Sequence, residues 1–195
     1  MISLKECEKW SRSLLSDSRF DHSRCVSEEA GRLAEQYGAD AAKARAAGML
    51  HDICKEMTPE EQLKIVGRFG IMMNETEKQA KKLYHAISGA AYAEHVIGVK
   101  DPEILGAIRW HTSGRAGMTL LEKVVFTADF ISADREYPGV EEMRRLAQTS
   151  LEEAMLFGIS YTVTELMEHR LPVDIHTAQA YNDILTETKK RGKRV

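Results

Sequence analysis

The sequence is poor in the residues that mark fibrous, disulfide-rich or membrane-spanning chains. Its 195 residues include only 13 glycines and four prolines, too few for a collagen-like or low-complexity chain. The three cysteines, Cys7, Cys25 and Cys54, form no CxxC pair and are odd in number, so a disulfide framework is not expected. Charged residues interrupt every apolar run before it reaches the roughly 18 residues of a membrane span. A composition that is 43% hydrophobic and 29% charged is instead typical of a globular protein.

The first residues lack a basic region followed by an apolar one, so we expect no secretory signal and a cytoplasmic location. Five of the 27 basic residues lie in the tail 189–195. The rest of the chain, its body, has 22 basic and 30 acidic residues and so a net charge of −8. Such a body is poorly suited to binding nucleic acid through its phosphates. We interpret the basic tail as a solvated end rather than an RNA contact.

The spacing of apolar residues is helical along nearly the whole chain, and no run alternates strictly enough to predict a strand. An Ala-rich segment over 41–50 predicts a buried central helix. Thr58 before Pro59, and Asp101 before Pro102, are typical helix starts, and Gly38 is a typical stop. Further helices are predicted over 86–97, 102–110, 119–132, 139–157, 159–169 and 177–189. We therefore expect one all-helical domain spanning residues 1–195.

Six polar side chains stand where this pattern predicts a buried environment or a helix end. His51 and Asp52 close an apolar run, and Asp129 lies inside another. A buried charge without a partner costs several kcal/mol, on the order of magnitude, so each carboxylate should face something positive. With the three further histidines near helix ends, the set is His22, His51, Asp52, His85, His111 and Asp129. Four imidazoles and two carboxylates suit a divalent ion of iron, manganese, zinc or cobalt.

The pattern alone leaves alternatives open. A single interior histidine is more often a hydrogen-bonded core residue than a ligand, and His51 and Asp52 could face different directions or two ions, with Asp52 between them. His95, His169 and His176 fit no ligand pattern. Four basic residues lie close in sequence to the six candidate ligands and favour a phosphate-bearing substrate, although each could be a surface cation. They are Arg19, Lys55, Arg115 and Arg135.

These residues lie in segments that resemble the HD-domain metal-dependent phosphohydrolases. The most specific segments are 19–23 (RFDHS), 47–56 (AGMLHDICKE) and 107–118 (AIRWHTSGRAGM). Within that superfamily the chain looks most like the small bacterial YqeK-type branch, the symmetrical bis(5'-nucleosyl)-tetraphosphatases, over roughly residues 15–185. The resemblance implies one HD-domain helical bundle with a metal site at its centre, and metal ligands within about 19–130.

The same resemblance implies an enzyme that cleaves diadenosine tetraphosphate into two ADP, by attack of a metal-activated hydroxide on a bridging phosphate. It implies two divalent ions, with iron favoured and manganese or cobalt possible. His22, His51 and Asp129 would hold one ion, His85 and His111 the other, and Asp52 would bridge them. Asp52, His85, Lys55 and Arg115 would be the catalytic residues.

The resemblance also assigns substrate contacts. Arg19, Lys55, Arg115 and Arg135 would bind phosphates, and the ligands His22, His85, His111 and Asp129 would touch the substrate as well. The remaining expected contacts are Glu56, Met57, Thr58, Thr112, Pro172, Val173, Asp174, Ile175, His176 and Thr177.

Two short segments depart from the family pattern. After His85 the chain has AISG over 86–89, where relatives often have a Gly-Pro or Ala-Pro sequence, and ISAD over 131–134 replaces a turn richer in proline and glycine. The first departure leaves His85 intact, and the second affects the nucleotide contacts more than the metals. Two alternatives remain: an HD phosphohydrolase acting on nucleoside mono- or diphosphates, and a nucleotide-sensing module without turnover. No nucleophilic serine or cysteine is needed, and Cys25 and Cys54 are interpreted as small apolar fillers.

Overall fold

The computed structural model describes residues 2–192, with side chains through residue 190, and this part of the chain contains helices and no strand. The α-helices of the described part are α1 (Leu4–Leu14), α2 (Asp17–Tyr37), α3 (Ala41–Leu50), α4 (Pro59–Arg68), α5 (Glu75–Gln79), α6 (Tyr84–Tyr92), α7 (Pro102–Trp110), α8 (Leu120–Ile131), α9 (Val140–Ala147), α10 (Leu151–Glu168) and α11 (Ile175–Gly192). A 3-10 turn (Lys81–Leu83) precedes α6, and a π-helical turn (Ala93–Ile97) follows it. The prediction of an all-helical fold is confirmed.

Local capping chemistry fixes several helix ends where the sequence predicts them. The Thr58 hydroxyl accepts from the backbone of Glu61, whose carboxylate accepts in turn from the backbone of Thr58 (2.8 Å), and Pro59 takes the first helical position of α4. Asp101 caps α7 by accepting from the backbone N–H of Glu103 (3.0 Å), and Pro102 follows it at the start of the helix. Gly38 ends α2 with a φ of 81°, a left-handed conformation that glycine adopts at little cost. These starts and stops are confirmed.

The prediction of helices over 139–157 and 159–169 is wrong. The structure has a short α9, a break at 148–150, and one continuous α10 that passes through Gly158. Ser150 begins α10 because its hydroxyl accepts from the backbone N–H of Glu153 (3.2 Å). Gly158 does not end the helix; a Cβ there would lie 2.7 Å from Cε of Met143, so the glycine gives α9 room to pack.

Helix α3 lies at the centre of the bundle and packs against α1, α2, α7 and α8. Its alanines Ala44, Ala46 and Ala47 are buried, which confirms the predicted central helix. The approach of α2 to α3 is close enough to require glycine, since a Cβ on Gly48 would lie 2.9 Å from the Cα of Ser27. Small side chains therefore bring the C-terminal end of α3 against α2, and α7 and α8 close around it.

Helices α10 and α11 cover the other side of α8 through a second apolar cluster, made of Met118, Phe126, Met155, Ile159, Ala180 and Ile184. Lys123 of α8 is buried there and pairs with Glu152 of α10 (3.3 Å) and Glu187 of α11 (2.7 Å). None of the described helices is both long and apolar enough to cross a membrane. Helix α11 continues through Gly192, and residues 193–195 of the basic tail lie outside the described residues.

Candidate active site

Five segments of the chain bring the six predicted metal ligands together. His22 comes from α2, His51 and Asp52 from the end of α3, and the others from the start of α6, the end of α7 and the last turn of α8. Their side chains are largely shielded from solvent: His51 and His111 are at most 1% exposed, and Asp129 has the most exposed side chain of the set at 16%. A group of imidazoles and carboxylates is therefore enclosed where the helix ends meet.

The six side chains form two adjoining sets that meet at Asp52. On one side, Oδ1 of Asp129 lies 3.1 Å from Nε2 of His22 and 3.7 Å from Nε2 of His51. His51 Nε2 is in turn 3.6 Å from Oδ2 of Asp52. On the other side, Oδ1 of Asp52 lies 3.2 Å from Nε2 of His85 and 3.6 Å from Nε2 of His111. The two oxygens of one carboxylate thus face different imidazoles.

Hydrogen bonds on the far side of three rings determine which ring nitrogens can bind a cation. Nδ1 of His51 donates to the carbonyl of Gly48 (2.6 Å), and Nδ1 of His111 donates to the carbonyl of Ile108 (2.8 Å). Nδ1 of His22 lies 2.7 Å from Oδ2 of Asp134. Because a carbonyl oxygen only accepts, the Nδ1 atoms of His51 and His111 carry the protons, and their Nε2 lone pairs point into the cluster.

The polar atoms at the centre of the cluster lack hydrogen-bond partners that would satisfy them. Nε2 of His51 and Oδ1 of Asp52 are buried without a hydrogen bond. Nε2 of His85 and Nε2 of His111 face each other at 3.1 Å, while the Lys55 ammonium already points a donor at His85 (3.1 Å). Buried acceptors arranged in this way are costly unless a cation lies between them. The ligating atoms of His22, His51 and Asp129 fall within 4.8 Å of one another, as do those of His51, Asp52 and His111, so the residues fit a divalent metal.

The electrostatics keep three of these groups, His51, His85 and Asp129, in metal-binding protonation states. Burial lowers the pKa of His51 and of His85 to about 4, so both rings are neutral near pH 7. Burial raises the pKa of the Asp129 carboxyl, but the Arg135 guanidinium and then His22 more than offset it, and the pKa lies well below its usual value. Neutral imidazoles beside an ionised carboxylate are the forms that bind a metal ion.

Three of the four predicted phosphate-binding cations border the cluster. Nη1 of Arg19 is 3.6 Å from Oδ2 of Asp52, and Nζ of Lys55 is 3.5 Å from its Oδ1. Arg135 pairs with the carboxylate of Asp129 and donates to its backbone carbonyl (2.7 Å). Arg115 lies elsewhere, where it pairs with Glu122 (2.9 Å) and stands 6.0 Å from the centre of the Trp110 ring.

The other predicted substrate contacts occupy two regions around the cluster. Thr112 reaches Nε2 of His85 (3.2 Å), whereas Glu56 accepts from Ser16 at the start of α2 (2.6 and 2.7 Å). Met57 is half-buried, and Thr58 caps α4.

The loop before α11 forms the second region. Asp174 of this loop is buried and accepts from Asn74 (3.3 Å), and the His176 ring lies edge-on to Trp110 at 4.9 Å. Pro172, Val173 and Ile175 are half-buried or exposed, and Thr177 is buried with its backbone N–H bonded to Asp174 (3.1 Å).

Sequence reasoning missed two residues that shape the site. Asp134 orients His22 from a loop more than a hundred residues away, and its Oδ1 accepts from Ser132 (2.7 Å). Trp110 precedes a ligand and contacts both Arg109, at 4.0 Å from its ring centre, and His176. The position of Trp110 beside His111 was a usable signal, but nothing in the local sequence of Asp134 points to His22.

The fold and the site define an all-helical protein with a centre suited to a divalent metal. The HD domain matches residues 19–134, and the chain belongs to the HD-domain family. It is 42% identical to the symmetrical bis(5'-nucleosyl)-tetraphosphatase of Bacillus subtilis over 86% of this chain and 90% of that protein. It is 37% identical to the protein of the same description from Halalkalibacterium halodurans, over 90% of this chain and 93% of that one. A crystal structure described as a predicted HD superfamily hydrolase involved in NAD metabolism, from Clostridium acetobutylicum, superposes with a TM-score of 0.92 at 33% identity, covering 96% of this chain and 99% of that one.

Proposed function

We propose that this protein hydrolyses diadenosine tetraphosphate symmetrically into two ADP, using two divalent metal ions, with iron as the first choice and manganese or cobalt as alternatives. The observation that carries the proposal is the position of Asp52, whose two oxygens face separate sets of imidazoles. The relatives at 37% and 42% identity, which are symmetrical tetraphosphatases by description, support the choice of substrate.

In this proposal the ligands of the two ions are the two sets of side chains that meet at Asp52. His22, His51 and Asp129 would hold one ion, His85 and His111 would hold the other, and Asp52 would serve as a ligand shared by the two groups. Two such ions would lower the pKa of a water molecule and neutralise charge on the phosphates. The chain contributes the Nδ1 hydrogen bonds of His51 and His111, which keep the Nε2 atoms unprotonated and aimed inward.

The cations at the border of the cluster receive the polyphosphate. Their side chains are accessible from outside, with exposed fractions of 39% for Arg19, 33% for Lys55 and 35% for Arg135. Negative charge grows on the departing ADP as the bond breaks, and these fixed cations stabilise it where it develops. Arg115 has a partly exposed side chain (31%) next to Trp110, and we assign it to a more distant phosphate.

One nucleoside of the substrate binds between the start of α4 and the loop 172–177. The proximity of Trp110 to His176 supports this assignment, because it connects the loop to the ligand His111. Thr112 and the segment of Glu56, Met57 and Thr58 border the same side of the cluster in our proposal.

The test is a product analysis with defined metals. Protein purified without chelator is assayed for bound metal and then incubated with diadenosine tetraphosphate and iron, manganese or cobalt, each supplied separately. We expect ADP as the only nucleotide product by anion-exchange chromatography. Equal amounts of AMP and ATP would overturn symmetric cleavage.

A matched pair of variants connects the products to the site. Asp52→Ala should lose both turnover and bound metal. Asp21→Ala, which removes an exposed carboxylate from the same helix as His22, should keep both. Full turnover by Asp52→Ala would contradict the proposal, and a metal-free protein that binds nucleotide without cleaving it would favour a sensor.

A further inference from the structure

A second aromatic region lies beside Asp129, whereas Trp110 precedes His111, which belongs to the other set of the cluster. A cavity of about 220 Å³ is lined by Asp129, Phe130, Arg135, Tyr137 and Tyr161; we call it the Tyr161 cavity. Asp129 belongs both to this cavity and to the His22 side of the cluster. The cavity therefore adjoins the cluster at Asp129, in the set that contains His22.

The walls of the Tyr161 cavity are held in place by packing. The rings of Tyr137 and Tyr161 lie 5.1 Å apart at 44°, and the Tyr137 hydroxyl donates to the sulfur of Met143 (3.4 Å). The turn that carries Tyr137 depends on Gly139, which has a φ of 99° and whose Cβ position would lie 3.1 Å from the Phe157 ring. A substituted residue there would be strained by its backbone and crowded by that ring.

The chemistry of the lining suits a flat, neutral ring attached to an anion. Three aromatic rings offer faces and edges for stacking, and Arg135 stands at the boundary between the cavity and the cluster. At about 30 Å³ per water molecule in the liquid, the cavity has room for about seven waters. That is enough for one planar ring system of the size of a purine base.

The proposed substrate has two nucleosides, and the loop 172–177 beside Trp110 accounts for one of them. We propose that the Tyr161 cavity binds the second nucleobase, stacked on Tyr161 and Tyr137, while Arg135 binds the phosphates that lead to it. This inference rests on the proposed function, since only a dinucleotide needs both regions. The two bases then lie on either side of the cluster, so the middle of the tetraphosphate chain crosses the metal ligands, as symmetric cleavage requires.

The experiment compares two ligands that differ in the second nucleoside. Diadenosine tetraphosphate has it, and adenosine 5'-tetraphosphate lacks it. The KM for the dinucleotide and the inhibition constant of adenosine 5'-tetraphosphate against its hydrolysis are measured for the metal-loaded wild type and for Tyr161→Leu, which keeps apolar bulk but removes the ring. We expect the KM to rise about fivefold to tenfold in Tyr161→Leu, the scale of one lost stacking contact, and the inhibition constant to stay the same.

Two control variants separate stacking from structure. Tyr161→Phe keeps the ring and should keep the wild-type KM. Tyr181→Leu makes the same substitution at a partly buried tyrosine of α11 that is outside the cavity, and should leave both constants unchanged. An unchanged KM in Tyr161→Leu, or an equal change in both constants, would overturn the assignment of the Tyr161 cavity as the site of the second nucleobase. The proposed function would remain intact. A wild type that forms no ADP from diadenosine tetraphosphate overturns both.

Discussion

Replacing Gly48 with alanine should disturb the packing that assembles the site. The added Cβ would lie 2.9 Å from the Cα of Ser27 and 3.0 Å from both the nitrogen of Ser27 and the carbonyl oxygen of Val26. All three are backbone atoms, so no side-chain rotation relieves the contact. Helix α3 must move away from α2, and His51, three residues further along, moves with it away from His22.

Two opposing effects set the size of the change in stability. Overpacking of this kind costs about 1–3 kcal/mol, whereas alanine in a helix is about 1 kcal/mol better than glycine. Gly67 of α4 provides the matched control, because a Cβ there has nothing within 4 Å and only the favourable effect remains. Gly48→Ala should therefore be less stable than Gly67→Ala by about 1–3 kcal/mol in the free energy of unfolding, the cost of the contact itself.

Urea denaturation of the two variants and the wild type, followed by circular dichroism, measures this difference. In a chain of this length 1 kcal/mol corresponds to a shift of about 2–4 °C in melting temperature, so thermal melts give a second reading. Bound metal should fall in Gly48→Ala and stay at the wild-type level in Gly67→Ala. Equal stability of the two variants would refute the argument that α2 and α3 need glycine at this crossing.

Three further predictions concern the cluster and the bundle. Asp134→Ala should lower metal affinity about 10- to 100-fold because His22 loses the carboxylate that orients it, and the far-ultraviolet circular dichroism spectrum should not change. Metal titration checks this prediction, and an unchanged affinity would show that Asp134 has no role in the site. Manganese or cobalt at about 100 times the dissociation constant should stabilise the wild type by about 2.7 kcal/mol and should stabilise His51→Ala far less. Thermal melts measure both effects, and equal stabilisation of the two proteins would place the bound ion elsewhere. Lys123→Met should destabilise the fold by up to about 3 kcal/mol, since it removes a buried ammonium that pairs with two carboxylates from neighbouring helices. The exposed control Lys64→Met should change urea stability little, and similar values for the two variants would contradict a role for the buried ammonium.

The helices and the ligand set could be predicted because their signals are local. Thr58 and Asp101 begin helices through hydrogen bonds that span two or three residues, and periodicity alone indicates that α3 is buried. His51 and Asp52 at the end of an apolar run already suggest that polar groups turn inward. Each histidine taken alone could be an ordinary hydrogen-bonded core residue. That alternative becomes weak only because six such polar residues converge in the structure.

The features that sequence reasoning missed depend on contacts between distant segments. Gly158 looks like a helix stop in isolation, and only the packing of Met143 explains why α10 continues through it. Arg115 follows the predicted ligand His111 by four residues, yet the structure pairs it with Glu122 of α8 (2.9 Å). No periodicity indicates either arrangement.

The histidines of the cluster differ in how their rings are oriented. His51 and His111 hydrogen-bond to carbonyls three residues earlier in the chain, so the orientation of each ring is set by its own segment. His22 takes its orientation from Asp134, across 112 positions of sequence. The loop after α8 therefore orients His22, and sequence changes in that loop would alter the surroundings of His22 while leaving the ring hydrogen bonds of His51 and His111 in place.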